Sequence, residues 1–142
     1  DDADDSGPGY VRDAVWQARM ASAAKVVKGA PIVRFEGDER LHAAPAERQF
    51  RYLMSPGAGG MLLRRDAALG VGVRPVARSE DRGMVLDFSR AGLPILCGDP
   101  FNYVYWRGRA GNHNWDLDRR DAMAAMSLEE LGDGLETGDF CF

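Results

Sequence analysis

Two cysteines place the strongest single constraint on what this chain can fold into. Cys97 ends the apolar run Leu93-Pro94-Ile95-Leu96-Cys97, and Cys141 stands one residue from the end in Asp139-Phe140-Cys141-Phe142. A bond between them would close the last third into one loop and hold a terminus that otherwise frays. Closing a loop of that length restricts the unfolded chain by about 4 kcal/mol, a large share of the ~5–15 kcal/mol by which a domain is stable. A free Cys97 would instead be a candidate nucleophile, with His113 downstream. The disulfide is the expected state, and an even cysteine pair points to an oxidising compartment.

At 142 residues the chain can bury a core without such a staple. Apolar residues make up 45% and charged residues 28%, the proportions of a globular protein. No apolar run approaches the roughly 18 residues of a membrane helix, so membrane insertion is not expected. The start at Asp1 without methionine reads as a processed, exported form, periplasmic or secreted. Residues 1–9 are acidic and rich in breakers, and are expected to form a disordered tail before a single domain over residues 10–142. Sixteen arginines against two lysines, with many alanines and glycines, suggest a GC-rich bacterial coding sequence.

Charge is unevenly spread. Residues 41–110 hold six acids and ten bases, whereas residues 111–142 hold eight acids and two bases. The arginine-rich middle could offer an anion-binding face, but a pI of 5.2 and the acidic last third disfavour general nucleic-acid binding.

Apolar periodicity gives the order of elements. Residues 10–28 carry apolar rows at three- and four-residue spacing, with Lys25 and Lys28 in the last turn and Gly29 and Pro31 beyond, and are expected to form one long helix. The period then shortens towards two. Strands are expected at residues 31–36, 49–54, 61–65, 93–97 and 103–107, with a hairpin pairing residues 71–78 with 84–88. Asp116 or Asp118 can cap a helix through Met126, and Ser127-Leu128-Glu129-Glu130 has the spacing of a capping box for a further short helix. The expected fold is α+β: a long N-terminal helix packed on an antiparallel sheet of five to seven strands, with short C-terminal helices.

Chemistry-bearing residues gather between Tyr103 and Asp121. Tyr105, Trp106, Arg107, Arg109, Asn112, His113, Asn114 and Trp115 could form a binding loop after a strand. The plainer alternative buries Tyr103, Tyr105 and Trp115 in the core, with Trp106 lying under an arginine. Asn112, Asn114, Asp116 and Asp118 alternate like calcium ligands, but Leu117 and Met123 occupy the sixth and twelfth positions, where an EF-hand needs glycine and glutamate. Two separated histidines and two separated cysteines give no zinc spacing, so no metal or cofactor is expected. Arg51, Arg64 and Arg74 fall on neighbouring expected strands and could share a basic sheet face.

Two functions from different classes follow. The first is a small exported bacterial binding domain, of an inhibitor, immunity or envelope-accessory kind. It would meet another protein or a small anionic ligand through the basic sheet face or the aromatic loop. The second is a hydrolase in which His113 works with Asp116 or Cys97.

Overall fold

In a computed structural model, residues 4–29, 31–53, 60–72, 80–108 and 118–131 are described, the side chains of residues 80 and 81 apart. They form an α+β arrangement with four α-helices and two mixed sheets, of five and four strands. The single antiparallel sheet expected from the sequence is therefore two sheets, each built on a parallel pair. The chain groups into two compact units, one of residues 1–10, 30–47 and 100–142, the other of residues 11–29 and 48–99.

The expected long helix ends halfway. Helix α1 spans Tyr10–Met20, and Lys25–Val27 forms strand β2. The stop is a Schellman motif: Ala23 N–H donates to the Ala18 carbonyl and Ser22 N–H to that of Arg19, with Ser22 in the left-handed region at φ +49°. Beyond it, β-branched Val26 and Val27 are buried between neighbouring strands. There, packing on both faces outweighs the helical spacing.

In the unit holding α1, the sheet order is β5-β7-β2-β6. These strands are Arg51–Tyr52, Ile95–Cys97, β2 and Met61–Leu63. The central strands β2 and β7 are parallel, and β5 and β6 flank them antiparallel. One sheet face carries Val26 and Leu96 in a cluster with Ala23, against which Ala18 of α1 packs. The other places Ile95 with Ala67 of helix α2 (Arg65–Val71) and Val85 and Phe88 of helix α3 (Glu80–Arg90).

Helix α3 replaces the second arm of the expected hairpin, while residues 73–78 of the first arm lie outside the described residues. Met84, Leu86 and Phe88 alternate as a strand would, yet Val85 and Phe88 are buried and Leu86 is exposed, which is helical burial.

In the other unit the sheet order is β1-β8-β3-β4-β9. The strands are Asp5–Ser6, Tyr103–Arg107, Ile32–Phe35, Leu41–Ala43 and Glu129–Glu130. Only β3 and β8 run parallel among these. Val33, Phe35 and half-buried Tyr105 pack with Ala122, Met123 and Met126 of helix α4 (Arg119–Met126), and Ile32, Leu41 and Val104 cluster separately.

Asp118 caps α4 by accepting from the Asp121 N–H at 2.9 Å, as its position suggested. The short helix expected from Ser127 is absent. Ser127, at φ +55°, ends α4 in the left-handed region, and Glu129–Glu130 is the edge strand β9. Asp5 and Ser6, placed by composition in a disordered tail, pair with Val104 and Tyr103. No helix among the described residues is long and apolar enough to cross a membrane.

Candidate functional site

Three features of the described residues could carry function: two buried ionic clusters, one in each unit, and an exposed aromatic surface.

The first cluster surrounds Asp38, in the turn after β3. Its Oδ2 accepts from His42 Nε2 at 3.1 Å and from Arg119 Nη2 at 2.5 Å, while Oδ1 accepts from the Arg40 N–H at 3.1 Å. Burial alone would raise the Asp38 carboxyl, but these hydrogen bonds and the Arg119 charge together hold it below the usual range. An ionised carboxylate only accepts, so His42 carries its proton on Nε2. The ring is fully buried, edge-on to Phe35 with centroids 5.3 Å apart. Its Nδ1 has no hydrogen-bond partner among the described residues. A histidine oriented by a carboxylate is half of a base–nucleophile arrangement, but no hydroxyl or thiol among the described residues completes it. What the cluster does is tie the β3–β4 turn to α4. Sequence reasoning passed over His42, which falls between the strands expected at residues 31–36 and 49–54. The four-residue spacing from Asp38 to His42 was the available signal.

The second cluster lies beyond the carboxyl ends of β2 and β7. Lys28 Nζ, with the side chain 1% exposed, donates to Asp99 Oδ1 at 3.0 Å. The Gln17 carboxamide of α1 bridges the same residue, donating to Oδ2 and accepting from the Asp99 N–H at 3.3 Å. Two glycines make room for this arrangement. A Cβ at Gly98 would overlap Gln17 Oε1, and one at Gly29 would overlap Cys97 Sγ. The cluster clamps α1 to the strand ends.

Cys97 is a free thiol and fully buried, which corrects the expected disulfide. Its sulfur occupies the space above Gly29 that a side chain would need, while Cys141 lies outside the described residues. Burial pushes the thiol up, and the Arg48 charge and a hydrogen bond with the Gly29 backbone only partly offset that, the reverse of an activated nucleophile. A free Cys97 also removes the disulfide as support for an oxidising compartment.

The expected aromatic loop divides. Arg109, Asn112, His113, Asn114, Trp115 and Asp116 lie outside the described residues. Tyr105 packs against the α4 cluster, Arg107 is buried, and Trp106 lies under the Arg34 guanidinium, 5.7 Å from its ring centroid. Trp106 N–H and Tyr103 O–H both donate to Asp4, at 3.0 and 2.5 Å. Burial and that carboxylate raise the Tyr103 phenol well above its ordinary value. The described part of the loop is thus built into its unit.

Nor do the sheet arginines share a face. Arg51 is on edge strand β5, Arg64 follows the opposite edge strand β6 and pairs with Asp66 at 2.7 Å, and Arg74 lies outside the described residues. Three strand spacings put the two edges roughly 14 Å apart.

The third feature is the solvent side of α1 together with β5. Trp16 is 60% and Met20 70% exposed, one helical turn apart on α1, while Ala14 and Gln17 are its buried residues. Phe50 is 61% and Tyr52 58% exposed. The two elements are joined directly, since Tyr52 O–H donates to the Ala21 carbonyl just past α1 at 2.5 Å. Phe50 holds φ +55°, a region that costs a bulky L-residue about 1–2 kcal/mol. Along the same segments of chain Arg19, Arg48 and Arg51 are exposed and form no ion pair among the described residues, while Arg12 pairs with Asp13 at 3.2 Å. Sequence periodicity had placed Trp16 and Met20 in an apolar row facing a sheet. No family model, curated protein or solved structure matches this chain.

Proposed function

We propose that this protein is a binding domain whose partner is another protein, and that the contact surface is the exposed side of α1 with the adjoining strand β5. The observation that carries this reading is the exposure of Trp16, Met20, Phe50 and Tyr52, between 58 and 70%, on two elements joined by a hydrogen bond. Scattered apolar side chains on a surface are ordinary, but aromatic groups gathered beside arginines match the composition of protein interfaces. Strain at Phe50 supports the same reading, because a left-handed aromatic turned outwards gains nothing within its own fold. Neither ionic cluster competes, since His42 is fully buried in one and the Lys28 side chain is 1% exposed in the other.

The test starts from proteins retained by the immobilised chain, one of which is then purified and titrated in isolation. Replacing Trp16 and Tyr52 together by alanine is expected to weaken that purified complex by about 30-fold or more, as loss of central aromatic anchors does. Arg120→Ala, at an exposed position on α4 in the other unit, is expected to change nothing. Full affinity in the double variant, with native circular dichroism, would overturn the surface.

A further inference from the structure

We infer that the segment received by this surface is an extended acidic strand, which adds to the sheet beside β5. The inference rests on the binding surface proposed above and names its occupant. Strand β5 is the last in its sheet among the described residues. Arg51 pairs with Cys97 and Tyr52 with Leu96, and Leu53 N–H donates to the Ile95 carbonyl at 3.1 Å. In an antiparallel ladder, inward-bonded and outward-facing residues alternate. Leu53 and Arg51 are therefore bonded towards β7, while the N–H and carbonyl of Tyr52 face the open edge.

The strand is only two residues long and carries the charged Arg51, but it contains no proline and no described element covers its open side. Main-chain groups of this kind accept an added strand, and flanking side chains choose which one. Here the flanking groups select negative charge: Arg19, Arg48 and Arg51 are exposed without ion pairs among the described residues. Leu96 has its neighbour Tyr52 on the α1 side of the sheet, so alternate apolar residues of an added strand would continue that face. A lipid surface could use the arginines and Trp16 but not the edge amide, which is why a peptide strand is the better match.

The experiment uses the whole chain labelled for amide NMR and a nine-residue probe alternating glutamate and valine. The acidic probe is expected to shift the amides of Arg51, Tyr52 and Leu53, and to slow hydrogen exchange at Tyr52. Arg51→Glu, or a probe with lysine in place of glutamate, is expected to weaken binding by about tenfold or more, and added salt to weaken it further. No shift at millimolar acidic probe would overturn strand addition, as would equal binding of the lysine probe. So would binding to phosphatidylserine vesicles without binding to the peptide, or the same shifts from inorganic phosphate alone. The two readings fail separately. If Trp16 and Tyr52 matter to a purified partner while the probe leaves Tyr52 exchange untouched, the surface stands and the strand does not.

Discussion

The two units draw their central parallel strands from the same two runs of chain, yet the aromatic side chains of β8 and those of α1 and β5 are treated differently. Strands β2 and β7 pair in one unit and β3 and β8 in the other. In the second, every aromatic side chain of β8 has a place: Tyr103 bonds Asp4, Tyr105 packs on the α4 cluster, and Trp106 lies under Arg34. In the first, Phe88 is buried against Ile95, but Trp16, Phe50 and Tyr52 stand in solvent. The lesson is that aromatic content does not locate a binding surface. Whether the fold provides a partner for each ring does.

The largest effect is expected where the first unit is tightest. Gly29→Ala drives a Cβ into Cys97 Sγ at a fully buried position, so about 3 kcal/mol should be lost, read as a lower urea midpoint at unchanged slope. Adding Cys97→Ala should restore part of it. A Gly29→Ala protein with wild-type stability would mean the strand ends are looser than described.

Next comes the aromatic contrast itself. Tyr105→Ala, which empties space against the α4 cluster, is expected to cost about 2 kcal/mol, whereas Trp16→Ala should stay within about 0.5 kcal/mol. Comparable losses from the two variants would erase the distinction between built-in and exposed rings.

The smallest effect concerns pH. The Asp38 carboxyl is held below its ordinary value in the folded chain, so its contribution is fully present above the unfolded value, near 3.8. It is lost as pH falls through the lower folded value. Asp38→Asn should flatten that acid limb of the stability curve and leave the neutral side parallel to wild type. An unchanged acid limb would show that the His42 and Arg119 contacts do not hold the carboxylate.

Much of the strand framework was legible in the residues. Runs at Ile32–Phe35, Met61–Leu63, Ile95–Cys97 and Tyr103–Arg107 are strands where their apolar character placed them, and Asp118 caps α4. Helix ends were less visible, because Ser22 and Ser127 take left-handed positions usually held by glycine. Ser127 even resembled the start of the next helix. Of the candidate site, Arg51 was identified but not the surface around it. His113 and its neighbours, on which the hydrolase reading depended, lie outside the described residues.

By itself, then, the sequence determined the α+β class and the location of most strands, because local period and β-branching act over a few neighbouring residues. It could not determine that these strands form two sheets, that Val26 and Val27 leave the helix, or that Cys97 remains a thiol. Those outcomes depend on pairing between residues such as Lys25 and Ile95, seventy positions apart. Which rings are buried is decided the same way. A ring is covered only when distant segments meet over it, and for Trp16, Phe50 and Tyr52 no described segment of this chain does.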